Sequence, residues 1–270
     1  MKPLSIGVIG LGAIGSRLVE FLRKEFSKEG QVNFLCDLSK ERMLEIKKKW
    51  APKAKIISWE ELIDRADLVI EAASQKIAMP VAEKALRKNK QVLILSVGGL
   101  VPWNGLESTL LKTKGRLWIP SGALAGVDAL LAANQGKIHH VTLTTRKPLV
   151  GLEGAPYLKK KNIRLNLIKE PTLIFEGDAL RAIKAFPKNV NVAATLALAG
   201  VGPEKTRVRI FTSPTYRFNQ HEVEIEGSFG RIRTTVENFP LPDNPKTSQL
   251  ALLSAVAVIR KIFGHVHIGT

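Results

Sequence analysis

The stretch Leu4-Ser5-Ile6-Gly7-Val8-Ile9, followed at once by Gly10-Leu11-Gly12-Ala13-Ile14-Gly15, decides the fold of this chain. The first segment is mostly apolar, as expected for a strand buried on both faces of a parallel sheet. Behind the glycines, apolar residues recur at the three- and four-residue intervals of an amphipathic helix: Leu18, Phe21, Leu22 and Phe26. A strand, a GxGxxG loop and a helix in this order predict a dinucleotide-binding Rossmann unit.

Each position of this loop has a physical role in holding a dinucleotide. Gly10 permits a tight turn, Gly12 lets the backbone approach the pyrophosphate, and Gly15 lets the helix pack closely on the strand. Ala13 and Ile14 lie in the first helical turn, whose free N–H groups face the phosphate charge. We therefore expect Gly10, Gly12, Ala13, Ile14 and Gly15 to bind the cofactor.

An acidic residue follows at the distance that a dinucleotide site requires. The next apolar strand, Val32–Cys36, ends in Asp37, about 20 residues beyond the glycine loop. A carboxylate there accepts hydrogen bonds from the adenosine ribose and repels a 2′-phosphate, which favours NAD. Ser39, Lys40 and Arg42 follow closely and could hold a 2′-phosphate, so NADP remains an alternative.

The pattern then repeats as further α/β units up to residue 120. The apolar strands are expected at Leu68–Ala72, Val92–Ser96 and Leu117–Pro120. In parallel sheets of this kind, the carboxyl ends of the strands face the ligand crevice. We therefore expect Ala72, Ala73 and Ser74 to contact the cofactor, and Ser121 either to reach the crevice or to cap a helix beginning at Leu124.

The second half of the chain has the period-two alternation of half-buried strands. His221, Val223 and Ile225 alternate with three glutamates, and the flanking strands alternate in the same way with arginines. This pattern predicts a smaller α+β domain over residues 121–243 with an open, mainly antiparallel sheet that has one solvated face. We expect the apolar run Leu250–Phe263, opened by Asp243–Ser248, to form a buried helix, so that the C-terminal helix segment 244–270 packs back on the Rossmann domain.

His221 lies on the apolar face of its strand, and spacing alone leaves two interpretations of it. A histidine on such a face is either a core residue or a group that faces the cofactor crevice. The other histidines lie at a strand edge or in the C-terminal tail and have weaker claims: His139, His140, His265 and His267. Capping of the helix that follows is the simpler role for the asparagines of the Asn189-Val190-Asn191 stretch.

The net charge of +17 raises nucleic acid and anionic membranes as partner classes. The basic residues are dispersed, their densest clusters are short, and only 6% of residues are aromatic, so we expect no nucleic-acid surface. We also expect no membrane span, no signal peptide and no metal site. The single cysteine, Cys36, fits a reducing cytoplasm.

With these segments assembled, the chain resembles the L-aspartate dehydrogenase family. The matching segments are Gly10–Gly15, Pro120–Ala123, Pro187–Ala194, Asn219–His221 and Asp243–Ser248. The first is shared widely among dehydrogenases, whereas the other four in this order are more specific. The resemblance implies oxidative deamination of L-aspartate to iminosuccinate, and then to oxaloacetate and ammonia, with NAD or NADP. It also implies that iminosuccinate can be diverted into NAD biosynthesis.

The same resemblance assigns roles to residues of the second half. It implies that His221 is catalytic and that Ala123 contacts the dinucleotide together with Asn189 or Asn191. A histidine that titrates near neutrality can serve the proton steps of the reaction. The small anionic substrate needs cationic or N–H partners, and we expect Ser121, Lys246 and Thr247 to supply them. We expect a homodimer. The alternatives are a dihydrodipicolinate-reductase-like or homoserine-dehydrogenase-like enzyme, and a dinucleotide sensor that binds DNA.

Overall fold

The protein is described here by a computed structural model that covers residues 3–101, 106–187, 191–241 and 244–269. The chain divides into two compact units. The first comprises the residues up to Pro120 together with Ala255–His265, and the second comprises Ser121–Ser254 together with the residues from Val266 onward. Helix α11 (Gln249–Phe263) contributes residues to both units.

The first unit is built on a six-stranded parallel sheet in the order β3-β2-β1-β4-β5-β6. Its strands are β1 (Leu4–Ile9), β2 (Gly30–Cys36), β3 (Lys55–Ile56), β4 (Leu68–Glu71), β5 (Gln91–Ile94) and β6 (Arg116–Trp118). Its helices are α1 (Ala13–Glu25), α2 (Lys40–Trp50), α3 (Trp59–Arg65), α4 (Gln75–Arg87) and α5 (Leu106–Leu111), with a 3-10 turn at Val97–Leu100. This strand order confirms the predicted Rossmann fold, and the crevice lies where the order reverses, between β1 and β4.

Local sequence explains why these elements begin where they do. The side chains of Ser39 and Ser58 accept hydrogen bonds from backbone amides in the first turns of α2 and α3. β4 is buried along its whole length, because helices cover both faces of a parallel sheet. A continuous apolar strand in the sequence therefore marks the centre of this sheet.

The second unit contains a five-stranded sheet in the order β11-β10-β7-β9-β8. Its strands are β7 (Ile138–Pro148), β8 (Thr172–Asp178), β9 (Thr206–Ser213), β10 (Asn219–Gly227) and β11 (Gly230–Asn238). Every neighbouring pair is antiparallel except β7 and β9, so the predicted mainly antiparallel sheet is confirmed. Its helices are α6 (Val127–Ala133), α7 (Leu149–Leu152), α8 (Pro156–Lys160), α9 (Ala179–Ala185) and α10 (Asn191–Ala199), with a 3-10 turn at Leu165–Leu167.

The two faces of this sheet differ in chemistry, as the alternation predicts. One face is apolar and buried, and it includes Val141, Leu143, Val208, Val223 and Ile225. The other carries cross-strand ion pairs: Glu222 with Arg146 (2.9 Å), Glu226 with Arg231 (2.6 Å), Glu224 with Arg233, and Glu176 with Arg207. Much of the charge in this half of the chain therefore belongs to a paired surface of the sheet.

The apolar helix predicted over Leu250–Phe263 is present as α11, but residues 244–248 and 264–269 of the segment 244–270 are not helical. Asn244–Ser248 forms strand β13, which pairs with β12 (Pro240–Leu241), and the helix begins only at Gln249. Proline has no backbone N–H and disfavours helical backbone in the residue before it, so Pro245 delays the helix. The helix ends at Phe263, before Gly264.

The part of the helix that lies in the first unit packs against α1 and β2. Phe263 stacks on Phe26, with ring centroids 5.2 Å apart, and Arg260 forms an ion pair of 2.5 Å with Glu25. A side chain at Gly30 would collide with the Phe263 ring at 2.7 Å. These contacts make Ala255–Phe263 part of the first unit although it follows the second in sequence.

The described residues contain no group of three or more His, Cys, Asp or Glu side chains placed to hold a metal ion. No helix formed by these residues is both long enough and apolar enough to cross a bilayer.

Candidate active site

The glycine loop between β1 and α1 has the geometry of a phosphate cradle. Gly10 has φ of +88°, and a Cβ there would lie 2.5 Å from the backbone nitrogen of Ala73. A Cβ at Gly15 would lie 1.9 Å from the Gly10 carbonyl oxygen, so both positions require glycine. At Gly12, in contrast, a Cβ would meet nothing within 4 Å, and this N-terminus of α1 has no side-chain cap. Open space beside an uncapped helix N-terminus fits the pyrophosphate of a dinucleotide.

Asp37 is held against this loop at the end of β2. Its carboxylate accepts hydrogen bonds from the Leu11 amide (2.6 Å) and from the Ser39 amide (2.8 Å). Arg42 lies 3.6 Å away at the surface. Asp37 is thus placed beside the glycine loop, where the sequence predicts a partner for the ribose, and Arg42 stands within reach of the same position.

Glu71 organises the turn that follows β4. It is fully buried, and its carboxylate accepts hydrogen bonds from the amides of Ala73 (2.8 Å), Ser74 (3.0 Å) and Ser96 (3.1 Å) and from the Ser96 hydroxyl (2.9 Å). Burial raises the pKa of Glu71, while these hydrogen bonds act in the opposite direction. The structure therefore brings Ala72 and Ala73 next to Gly10, and the hydrogen bonds of Glu71 explain why the turn that continues to Ser74 keeps its shape.

His221 lies in the second unit, on the buried face of β10, and is 2% exposed. A hydrogen bond of 3.0 Å joins its Nδ1 to the hydroxyl of Thr145 on the neighbouring strand β7. Burial, and secondarily the positive charge of Lys147, lowers the pKa of His221 to about 3. In the unliganded protein the pKa of His221 therefore lies below its ordinary range, because the imidazole is removed from water and faces a cation.

Lys147 is the functional candidate that sequence reasoning missed. It is 5% exposed, and its Nζ donates to Asn219 Oδ1 at 3.4 Å. Burial lowers the pKa of Lys147 to about 8. A signal for it exists in the sequence, because Lys147 continues the inward-facing series Val141, Leu143 and Thr145 on β7. A lysine in phase with an apolar face is uncommon enough to have been singled out.

The residues His221, Thr145, Lys147 and Asn219 form what we call the His221 cluster, and Ala123 is connected to it through Asn238. The Asn238 amide donates to the Ala123 carbonyl at 3.3 Å, and Asn238 is the cross-strand partner of Asn219. Ser121 does not cap α6, as one interpretation of the sequence had it, because α6 begins at Val127. Gly126, in a left-handed conformation, occupies its N-cap position. The turn at 121–123 is instead held against β11.

The remaining candidates lie on other elements of the second unit or outside the described part of the chain. Asn191 is the first residue of α10 and is exposed. Thr247 lies in β13, where its hydroxyl accepts a hydrogen bond from Asn244 (3.1 Å). Asn189 and the side chain of Lys246 lie outside the described residues. Among the described contacts, none links Thr247 to His221.

Comparison with protein families gives two matches that divide the chain. The model described as "Aspartate dehydrogenase, C-terminal" matches residues 128–262, and "Homoserine dehydrogenase, NAD binding domain" matches residues 10–116. The first match contains His221, Thr145 and Lys147, and the second contains the glycine loop. The NAD-binding assignment of the first unit is therefore confirmed.

Relatives and solved structures agree over the full length. The L-aspartate dehydrogenase of Methanosarcina barkeri is 44% identical over 99% of this chain and 100% of its own length. That of Bradyrhizobium diazoefficiens is 36% identical over 100% of this chain and 95% of its own length. The crystal structure of aspartate dehydrogenase from Thermotoga maritima matches with a TM-score of 0.76 and 25% identity, over 98% of this chain and 99% of that one. The chain therefore belongs to the L-aspartate dehydrogenase family.

Proposed function

We propose that this protein catalyses the NAD(P)-dependent oxidative deamination of L-aspartate to iminosuccinate, which hydrolyses to oxaloacetate and ammonia. The observation that carries this proposal is the full-length similarity to L-aspartate dehydrogenases, in a chain that pairs a glycine-loop unit with a buried histidine–lysine cluster. Release of iminosuccinate to NAD biosynthesis is a further part of the proposal.

The first unit would bind the cofactor through groups that are already in position. Gly10, Gly12, Ala13, Ile14 and Gly15 provide a close backbone approach and the N-terminus of α1 for the pyrophosphate. Asp37 accepts hydrogen bonds from the ribose, which favours NAD, while Arg42 beside it offers a partner for the 2′-phosphate of NADP. When bound, the dinucleotide would supply the hydride acceptor for oxidation of the substrate at its α-carbon.

His221 would act as the proton acceptor in this reaction. With the proton on Nδ1, the ring would donate to the Thr145 hydroxyl, which can accept as well as donate, and would present Nε2 as a base. Burial is the larger cause of the low pKa of His221 and the charge of Lys147 the smaller one, so a substrate carboxylate that offsets this charge would reverse the smaller part of the shift and favour the protonated ring. His221 would then remove the ammonium proton before oxidation. After that proton has passed to solvent, the neutral ring would accept a proton from the water that adds to the imine and return it to the departing ammonia.

The other site residues are proposals of the same kind. Ala123 and Asn189 or Asn191 would contact the dinucleotide, as would the turn Ala72–Ser74. Ser121, Lys246 and Thr247 would bind substrate carboxylates as hydroxyl or cationic donors.

The decisive experiment is a spectrophotometric assay for NAD(P)H with a panel of substrates. We expect turnover with L-aspartate and none with L-homoserine. Dihydrodipicolinate is tested in the direction of NAD(P)H oxidation, and we expect no turnover with it. Turnover with another substrate and not with L-aspartate would reject the proposal. His221→Ala is expected to reduce kcat at least about 100-fold while leaving NADH binding, measured by fluorescence, unchanged.

The cellular setting and the assembly are also proposals. A cytoplasmic enzyme fits the single thiol, Cys36. A homodimer is the default for an enzyme with an open sheet, and light scattering coupled to size-exclusion chromatography measures it directly. A mass of one chain in solution would reject the dimer.

A further inference from the structure

Lys147 is a buried cation that has no carboxylate partner in the part of the chain that the structure describes. Its Nζ contacts only the amide oxygen of Asn219 there, and the residue is 5% exposed. The arginines on the opposite face of the same sheet show the usual arrangement, since Arg146 and Arg231 each form an ion pair with a glutamate. Buried charges in proteins are normally paired, so an unpaired ammonium is a place where an anionic ligand is stabilised.

The position of Lys147 places such an anion next to the proposed base. Thr145 and Lys147 point to the same side of β7, because strand side chains alternate with a period of two, and they are about 7 Å apart along the strand. Thr145 contacts His221, and Asn219, which contacts Lys147, lies two positions before His221 on β10. The positive charge of Lys147 also acts on the imidazole. A carboxylate bound by Nζ therefore lies beside His221.

The side chain of Lys147 is restricted by the residues that pack around it. The Thr212 hydroxyl donates to the Lys147 carbonyl at 2.8 Å, which holds β7 against β9. Gly151 of α7 lies against the lysine stem, since a Cβ there would be 3.5 Å from Lys147 Cβ and 3.8 Å from Asn219 Oδ1. The stem, the amide and the covering turn thus orient Nζ before a ligand arrives, which reduces the entropy lost on binding.

We propose that Lys147 is the residue that binds one carboxylate of the substrate, with Asn219 positioning its ammonium. The inference rests on the proposed function and deepens it by assigning substrate recognition to a residue within the second unit. Aspartate carries one carboxylate on the α-carbon and the other one bond further away, so an anchored carboxylate orients the α-carbon and its amino group relative to His221. A monocarboxylate or an uncharged amino acid gains less from the same cation.

The test compares Lys147→Met with Lys147→Arg and with the exposed-site control Lys169→Met. The loss of a charge-assisted contact worth about 1.5–3 kcal/mol raises a dissociation constant about 10- to 150-fold. We expect a rise of this size in the KM for L-aspartate. We expect the same rise in the dissociation constant of succinate, a dicarboxylate without an amino group, measured by calorimetry on the NADH complex. The NADH affinity of Lys147→Met should change less than about twofold. Lys147→Arg should recover part of the succinate affinity, and Lys169→Met should bind succinate as the wild type does.

The outcomes separate this inference from the proposed function. If wild-type enzyme does not oxidise L-aspartate, the proposed function fails, whereas the succinate measurement still decides whether Lys147 binds a dicarboxylate. Unchanged succinate affinity in Lys147→Met overturns the anchor. So does a fall in kcat with an unchanged KM, because that result assigns Lys147 to proton transfer. If Lys147→Met does not fold, Asn219→Ala is measured instead, with an expected rise of about threefold to tenfold in KM, and no rise overturns the proposal.

Discussion

Replacing Lys147 by methionine should stabilise the unliganded protein even though it impairs substrate binding. Methionine keeps an unbranched side chain of similar length and removes the buried charge. Burial lowers the pKa of Lys147 from 10.5 to about 8, and each pKa unit corresponds to about 1.4 kcal/mol. Keeping the ammonium charged in the folded state therefore lowers the free energy of unfolding by about 3 kcal/mol near neutral pH.

Part of this gain is offset by the contact that the substitution removes. The Asn219 amide oxygen loses the ammonium as a donor, which costs about 1 kcal/mol. We therefore expect Lys147→Met to raise the free energy of unfolding by about 2 kcal/mol near pH 7.

The pH dependence identifies the cause of the stabilisation. The unfolded chain keeps the lysine proton up to its ordinary pKa of 10.5, whereas the folded protein releases it above about 8. The unfolded state therefore binds more protons over this range, so the stability of the wild type rises with pH between these values. The difference between wild type and Lys147→Met should shrink by about 2 kcal/mol from pH 7 to pH 10.

Urea unfolding followed by circular dichroism, without cofactor or substrate, measures both quantities. Lys169→Met is the matched control, because Lys169 is exposed and lies in the same unit. A variant that is no more stable than the wild type at pH 7 would refute the reasoning. A stability difference that stays constant between pH 7 and pH 10 would also refute it, since the gain would then not come from the charge.

Three further predictions concern the other parts of the site. Thr145→Val removes the hydrogen-bond partner of His221 Nδ1 and should lower kcat by about 5- to 150-fold with NADH affinity unchanged. A kcat equal to that of the wild type would exclude an orienting role for Thr145. Asp37→Ser should raise the ratio of kcat/KM for NADP over NAD at least about tenfold, because it removes the charge that repels a 2′-phosphate, and an unchanged ratio counts against this role. Glu71→Gln places an amide NH₂ against backbone N–H groups that now donate to the Glu71 carboxylate, and it should lower the free energy of unfolding by about 1–3 kcal/mol. Urea titration measures this change, and Glu29→Gln at an exposed position is the control.

The fold was predictable where side-chain periodicity alone determines structure. The apolar run at Leu4–Ile9 and the glycine loop required a buried strand and an open helix N-terminus, and both are present. The alternation around His221 likewise predicted which face of β10 is buried. Strand β13 was not predicted, because the polar stretch Asp243–Ser248 resembles the opening of the helix that follows and has no period-two alternation of apolar residues.

The chemistry of the site was less predictable, because it depends on residues that are distant in sequence. Thr145 and His221 are 76 positions apart, so the hydrogen bond that fixes the imidazole has no local signature. The pKa of His221 follows from burial and from the charge of Lys147, and neither is visible in the neighbours of His221 along β10. Lys147 itself could have been found from its phase on β7, but the presence of Asn219 beside it could not.

The buried Glu71 determines which kind of contact the turn after β4 can offer to a cofactor. Two of the three amides of that turn, at Ala73 and Ser74, already donate to the Glu71 carboxylate, and the third, at Ala72, donates to the Ile9 carbonyl. All three donors that would otherwise attract phosphate oxygens are thereby withdrawn, so that carbonyl oxygens and small side chains are the groups that the turn has left to offer. We therefore expect the turn to favour the donor groups of a dinucleotide, such as ribose hydroxyls or the carboxamide NH₂, and to leave its anionic pyrophosphate to the N-terminus of α1.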